Sequence, residues 1–171
     1  MVIASDLILK GERWKKASED YSVFFKQRTH YDIFLISASI GVVYDEQEEA
    51  IDDGTDLEIS IPRNVFNNRS EPFDKLVQTA LLSSSIIDMT DEERLKLAFS
   101  DENDDFDRLE FLVKFANFGI NKLNDLKGID DIETMENLKD FIIGTVEGTN
   151  YEIEEINKEA IAETIIGYNF F

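Results

Sequence analysis

The apolar stretch from Thr29 to Tyr44, THYDIFLISASIGVVY, constrains the fold more than any other part of the sequence. It is the most apolar stretch of a chain whose formal net charge is −20, so a single core must form around it. The apolar run at 33–43 has 11 residues and includes Ser37 and Ser39. A membrane span needs roughly 20 predominantly apolar residues, so we predict a core element instead.

Local signals favour a helix in this stretch. Thr29 stands where an N-cap would be, Asp32 replaces the usual Glu of a capping box, and Gly41 is a candidate end. The apolar side chains cover every helical face, which predicts a central helix at 29–41 that is packed on most sides. A buried strand is the alternative, because β-branched residues are frequent here. These residues are Ile33, Ile36, Ile40, Val42 and Val43.

Composition sets the class of protein. A chain of 171 residues with 43% hydrophobic content and 13 Phe is long and apolar enough to bury one core. We therefore predict a single acidic helical domain over residues 1–171. Cys is absent, which excludes disulfides, thiolate metal sites and Cys nucleophiles. The N-terminal sequence lacks the basic and apolar regions of a signal peptide, and a cytoplasmic location is expected.

The charge balance bears on the partners. Lys and Arg number 17, against 37 Asp and Glu. Basic side chains that neutralise phosphates supply most nonspecific affinity for nucleic acids. We therefore expect the chain to bind neither nucleic acid nor anionic membranes directly.

Two segments follow the central stretch. Residues 45–56 carry seven carboxylates in twelve positions, which is typical of a solvated loop. Apolar and polar residues alternate at 57–61 and predict a short half-buried strand, which Pro62 ends or confines to a sheet edge. Its partner is either the N-terminal segment 1–9 or the C-terminal segment 165–171, and the sequence leaves both open.

Apolar residues recur at helical spacing in the rest of the chain. Thr90 and Glu93 form a capping box for a short helix that ends near Phe99, and Gly128 follows the end of a longer helix. We predict a mainly α fold with a minor β element: about five or six helices around the central one, with the strand near 57–61. The other predicted helices cover 12–26, 70–81, 90–99, 106–126, 132–142 and 153–165.

No catalytic motif is complete in this sequence. His30 is the single histidine, stands at the head of the central stretch and has no catalytic partner signature nearby, so we expect a structural role. Neither a Gly-rich nucleotide-binding loop nor a G-x-S-x-G motif occurs. We therefore expect no cofactor.

The carboxylates do not form a recognisable metal motif either. Residues 101–107 place oxygens at the first four alternate positions of an EF-hand loop, but Phe106 replaces the Gly and Leu112 replaces the bidentate Glu. An acidic loop with an N-cap for the following helix explains the same residues. A carboxylate nuclease with a D/E-x-K core would need a Lys two residues after Glu58, where the sequence has Ser60, so an enzyme is the minority hypothesis.

Two segments resemble a known protein family. Residues 25–43 read FKQRTHYDIFLISASIGVV, and residues 109–123 read LEFLVKFANFGINKL. They resemble the F-K-T-K-x-D-hydrophobic-F-x-A-A-x-L-G and E-Y-A-N-x-G signatures of small proteins encoded beside bacterial DNA phosphorothioation (Dnd) and related phage-defence genes. Ser37 departs from the first signature, where it replaces an Ala, and Phe115 departs from the second, where it replaces the Tyr. The matching residues are Asp32, Phe34, Ala38, Gly41, Ala116, Asn117 and Gly119.

The resemblance implies an accessory protein of a defence or DNA-modification operon and carries over no catalytic residue. The acidic runs at 45–56 and from Asp101 have no place in its signatures.

Asn117 and Gly119 are unusual within an otherwise apolar helical pattern, where Gly costs roughly 1 kcal/mol relative to Ala. A close helix crossing is the simplest reason. We predict that Gly119 lets its helix pack closely against the central helix, and that Asn117 bonds to neighbouring backbone.

These patterns lead to three functional hypotheses. The first is a noncatalytic accessory protein of a prokaryotic phage-defence or DNA-modification system, which binds a protein partner, with basic nucleic-acid-binding proteins among the candidates. The alternative is a DNA mimic that occupies the basic groove of such a protein. The third is an enzyme that uses carboxylate-bound metal. The oligomeric state stays open. The candidate interaction surface consists of Asp45, Glu46, Glu48, Glu49, Asp52, Asp53, Asp101, Glu102, Asp104 and Asp105.

Overall fold

The computed structural model describes residues 3–25, 29–50, 53–100 and 106–148. Of these residues 68% are helical, in eight helices, and a two-stranded antiparallel sheet completes the regular structure. The predicted fold class, mainly α with a minor β element, is confirmed. Every helix in the described ranges is too short or too polar to cross a membrane. The helix predicted at 153–165 lies outside these ranges.

The elements have the following bounds. In chain order they are β1 (Leu7–Lys10), α1 (Glu12–Asp20), α2 (Ser22–Phe25), α3 (Thr29–Tyr44), β2 (Glu58–Ile61), α4 (Arg63–Asn68), α5 (Ser70–Ser83), α6 (Asp91–Phe99), α7 (Arg108–Asp125) and α8 (Asp131–Glu147). The chain divides into two compact units, Met1–Asp125 and Leu126–Phe171. The single domain expected over residues 1–171 stays a prediction.

The apolar stretch forms α3, the central helix of the first unit. It contacts α1, α2, α5, α7 and β2, and the strand alternative is wrong. The predicted end at Gly41 is also wrong, because the helix continues to Tyr44. It ends where Asp45 adopts a left-handed φ of 53°, and the Glu46 amide closes on the Gly41 carbonyl at 3.1 Å.

Gly41 and Gly119 lie where α3 and α7 cross. A Cβ on Gly119 would stand 1.8 Å from the backbone oxygen of Ser37, and one on Gly41 would stand 2.2 Å from that of Phe115. Each glycine therefore makes room for the backbone of the other helix. The predicted close crossing is confirmed, and Gly41 proves to be a packing residue rather than a helix end.

The helix predicted at 12–26 divides into α1 and α2 at Tyr21. The Tyr21 side chain is fully buried and its hydroxyl donates to the Leu123 carbonyl at 2.6 Å. Beside it, the Ser22 hydroxyl donates to the Glu19 carbonyl at the end of α1. The first bond anchors the break to α7, and the second satisfies a carbonyl at the end of α1.

The strand predicted near 57–61 is confirmed as β2. It pairs antiparallel with β1, so that Leu7 lies opposite Ile61, which selects the N-terminal partner of the two considered. The other candidate, 165–171, lies outside the described residues. Pro62 ends β2 and precedes α4, which was not predicted. The buried Phe66 ties α4 to the core.

The later helices follow their local signals. The capping box is confirmed, since Thr90 Oγ1 accepts from the Glu93 amide at 3.3 Å and Glu93 Oε2 accepts from the Thr90 amide at 2.8 Å. Asp107 Oδ1 accepts from the amides of Leu109 and Glu110, both at 2.9 Å, and so caps α7. An acidic N-cap is therefore present as predicted, but α7 begins at Arg108 and not at the predicted Phe106.

Candidate functional site

The described part of the acidic loop, residues 45–50 and 53–56, is attached to the helices around it. Glu48 makes the central attachment, because Oε1 accepts from Arg13 Nη1 at 2.9 Å and Oε2 accepts from Asn121 Nδ2 at 2.8 Å. The side chains of Arg13 and Glu48 are only 17% and 26% exposed. One carboxylate thereby joins α1, the loop and α7.

Asn117 supports the same attachment from the core. Its Oδ1 accepts from Trp14 Nε1 at 3.3 Å, and its Nδ2 donates to the Glu48 carbonyl at 3.2 Å. The Glu48 amide in turn donates to the Lys114 carbonyl at 2.9 Å. The prediction that Asn117 bonds to neighbouring backbone is confirmed.

Asp45 fixes the start of the loop. Its Oδ2 accepts from the amide and the hydroxyl of Ser85, at 2.7 Å and 2.5 Å. Burial tends to raise the pKa of Asp45, but the hydrogen bonds and the charge of Arg94 outweigh burial and hold the pKa below its ordinary value of 3.8. This carboxylate stays ionised because the folded chain supplies its donors.

Asp53 and Glu49 are engaged in a similar way. Asp53 Oδ1 accepts from the Thr55 hydroxyl at 2.6 Å, and Oδ2 accepts from the Glu12 amide at 2.6 Å, at the start of α1. These hydrogen bonds, that of Thr55 foremost, lower the pKa of Asp53. Glu49 pairs with Lys114 Nζ at 2.6 Å, and this hydrogen bond raises the pKa of Lys114.

The ten candidate carboxylates therefore fall into three groups. Asp45, Glu48, Glu49 and Asp53 are bound by donors of the chain itself, while Glu46 is exposed. The other five lie outside the described residues, so their role in an interaction surface stays a prediction. They are Asp52, Asp101, Glu102, Asp104 and Asp105.

The single histidine of the chain makes a structural contact. His30 Nδ1 lies 2.9 Å from the Ser60 carbonyl, a contact that joins the start of α3 to β2. In the described ranges, no three His, Cys, Asp or Glu residues are grouped so that they could hold a metal ion.

The sequence pattern did not predict an exposed apolar surface on α8. The helix itself is confirmed, and Leu138 is buried at 7% exposure. However, Ile132, Met135 and Ile142 are 72%, 47% and 57% exposed, as is Val146 at 82%. The available signal was a second line of apolar residues on the same helix, beside the line through Leu138.

Most residues that match the family signatures are buried. Gly41 and Gly119 lie at the α3–α7 crossing. Phe34, Ala38 and Ala116 are fully buried, and Asn117 is nearly so. A scan of protein-family models and searches of curated proteins and solved structures found no match to this chain. The resemblance to the Dnd-associated proteins stays a prediction.

Proposed function

We propose that this chain is a noncatalytic interaction protein that binds a protein partner, as an accessory subunit of a prokaryotic phage-defence or DNA-modification assembly. The observation that carries the proposal is the exposed apolar surface of residues 129–146. Among the described residues, 14 large apolar side chains are exposed, and six of them lie in this segment. Single exposed apolar residues are ordinary, whereas a concentration of them marks interaction surfaces.

The acidic loop supports a noncatalytic role. A general base or a metal ligand needs a carboxylate whose oxygens can reach a substrate or an ion. Asp45, Glu48 and Asp53 use their oxygens to hold amides and side chains of the same chain. In the described part of the loop, these carboxylates therefore stabilise the fold. A catalytic carboxylate would instead face a substrate or an ion.

The DNA mimic is the second candidate, and the formal net charge of −20 favours it. A mimic needs carboxylates that can meet the basic groups of its target. The loop carboxylates that accept hydrogen bonds within the chain meet that requirement poorly, whereas the exposed Glu46 meets it. The two candidates predict different salt dependence, because an apolar contact survives screening and an ionic one weakens.

The test is capture of partners by the tagged full chain in its native host. Washes at about 0.1 M and about 1 M NaCl shorten the Debye length from roughly 10 Å to roughly 3 Å. We expect a stoichiometric protein partner that survives both washes and is lost with Val146→Asp. Glu46→Gln, which removes one charge elsewhere, is the matched control and should retain it. Release at high salt together with competition by DNA would support the mimic, and no partner at either salt would refute both candidates.

A further inference from the structure

One face of α8 carries a coiled-coil spacing. Ile132, Met135, Lys139, Ile142 and Val146 follow one another at intervals of three and four residues, as a and d positions of a heptad do. We name these five residues the α8 seam. Since a helix turns once in 3.6 residues, they form a single stripe along it.

The seam is distinct from the buried side of α8. Thr134 and Leu138 are buried, and Thr134 Oγ1 is held by the Gly128 amide at 3.1 Å and the Asp130 carbonyl at 2.7 Å. The four apolar seam residues are exposed by 47% to 82%. The helix thus has two apolar lines, of which one is buried and the other exposed.

Charge surrounds the seam. α8 contains five acidic residues and one basic residue, Lys139, which occupies the middle of the seam. Glu136 at an e position and Asp131 at a g position flank the stripe, and Asp140 and Glu147 lie further round the helix at b positions. The other flanking residues, Leu138, Ile143 and Thr145, are uncharged. The seam therefore combines an apolar line, a central cation and two acidic flanking residues on an acidic helix.

A second copy of this chain fits the seam poorly, because α8 carries five acidic residues and one basic residue and two copies would repel each other. In a parallel pair in register, one Lys139 would also face another at an a position. In a parallel pair, Asp131 would also meet Glu136 of the second copy across the g and e positions. Residues 149–171 carry five Glu and one Lys, so their charge also matches that of α8.

We propose that the α8 seam binds an amphipathic helix of a partner protein, with apolar residues at a and d, an acidic residue facing Lys139 and Lys or Arg along its borders. Apolar burial supplies the affinity, and the central ion pair with the basic borders sets register and partner choice. This inference rests on the proposed function and names the chemistry of its partner.

The test uses two synthetic helical peptides of about three heptads and the full chain. Both carry Leu and Ile at a and d, with one Glu placed to face Lys139. One has Lys and Arg at e and g, and the other has Glu there. Fluorescence anisotropy should show that the basic peptide binds at least about tenfold more tightly than the acidic one.

Variants locate the binding on the seam. Ile142→Asp should weaken the basic peptide at least about tenfold, because it places a charge in the apolar line. A third peptide, which is the basic one with Lys in place of the facing Glu, tests the central ion pair. Lys139→Glu should bind this third peptide more tightly than the basic one, a reversal that simple loss of folding cannot produce. Leu95→Asp is the matched control, since Leu95 is a 52% exposed helical residue of the first unit, and should leave the affinity unchanged.

Other outcomes overturn the inference. Equal affinity for both peptides, or none for either, would contradict it. A dimer that Ile142→Asp dissociates, seen by analytical ultracentrifugation, would assign the seam to a second copy. A lower unfolding midpoint for Ile142→Asp would assign the seam to residues of the same chain.

If the captured partner is kept by Ile142→Asp and by Lys139→Glu, the seam inference fails while the proposed function stands. Failure of capture at both salts removes the proposed function itself.

Discussion

Asn117 joins α1, the acidic loop and α7 through one buried amide group, so its loss should be costly. Asn117→Ala leaves Trp14 Nε1 without its acceptor and the Glu48 carbonyl without this donor. Unsatisfied buried polar groups cost about 1–3 kcal/mol each. We expect the free energy of unfolding to fall by about 1–3 kcal/mol, since the Trp14 bond is fully buried and the Glu48 bond only partly so. The measurement is urea unfolding followed by the fluorescence of Trp14, the single Trp.

The control for this prediction is Thr79→Ala, an exposed position on α5 where the change should stay within about 0.5 kcal/mol. If Asn117→Ala changes the unfolding midpoint no more than Thr79→Ala does, the amide is not a structural link.

Asp45 should make stability depend on pH. Its pKa in the folded chain lies below the ordinary value of 3.8, since hydrogen bonding and the Arg94 charge outweigh burial. Such a group stabilises the folded state above its unfolded pKa, and the contribution is lost as pH falls through the lower folded value. We expect Asp45→Asn to lower the unfolding midpoint near neutral pH, and the difference from the unchanged chain to shrink below about pH 4.

Glu46→Gln removes one charge from the same loop and serves as the control for net charge in that titration. A constant difference between Asp45→Asn and the unchanged chain down to about pH 2 would show that the Asp45 carboxylate is not the stabilising form.

At the scale of elements, the α3–α7 crossing depends on glycine at two positions. Gly119→Ala brings a Cβ against the backbone of Ser37, which cannot rotate away as a side chain could. Overpacking costs about 1–3 kcal/mol, and that cost should exceed the gain of about 1 kcal/mol in helix propensity. Thermal unfolding should show a lower midpoint for Gly119→Ala and for Gly41→Ala. Ser39→Ala, at an exposed site of α3, is the control. If the midpoint of Gly119→Ala equals or exceeds that of the unchanged chain, the close crossing is contradicted.

The connection between α5 and α6 is organised by Arg94. Its guanidinium donates to the carbonyls of Leu81, Ser84, Ile87 and Met89, with Nη2 2.6 Å from Ile87 O and Nε 3.2 Å from Met89 O. A Lys ammonium is a compact donor that cannot reach four separate carbonyls. We expect Arg94→Lys to lower the free energy of unfolding by about 1.5–3 kcal/mol, measured by urea unfolding.

Arg63→Lys is the matched control for that prediction, because the Arg63 guanidinium donates to one carbonyl, that of Ala4, on an exposed site. Equal effects of the two substitutions would mean that charge alone holds the α5–α6 connection.

Elements with local signals were predictable, and those fixed by distant contacts were not. The α6 capping box and the alternation of β2 are encoded within a few residues, so both are confirmed. α4 has one apolar anchor, Phe66, whose ring meets Phe73 at 5.5 Å, and a single residue gives no period. Glycine occurs both at helix ends and at helix crossings, so the sequence around Gly41 cannot distinguish the two. Only the contact with α7 shows that Gly41 lies at a crossing.

At the scale of the whole molecule, distant contacts also determine the arrangement of the acidic loop. The density of carboxylates at 45–56 is visible in the sequence, but their engagement is not, because Glu48 meets Arg13 and Asn121 across 35 and 73 positions of the chain. Periodicity also could not tell which apolar line of α8 is buried, since Leu138 and Ile142 both have helical spacing. Burial depends on neighbours that the helix sequence does not contain.

The net charge of −20 predicts how the whole molecule responds to salt. Self-repulsion of like charges destabilises the folded state, and screening relieves it. Favourable ion pairs are screened too, but among the described pairs Arg13–Glu48 alone has both side chains less than a third exposed, and exposed pairs contribute about 0–1 kcal/mol. Repulsion should therefore dominate.

We expect the thermal midpoint to rise as NaCl increases from about 0.01 M to about 0.1 M, where the Debye length shortens from roughly 30 Å to roughly 10 Å. KCl should give the same rise, because screening depends on ionic strength. A midpoint that falls with NaCl would show that attraction within the folded chain outweighs its repulsion.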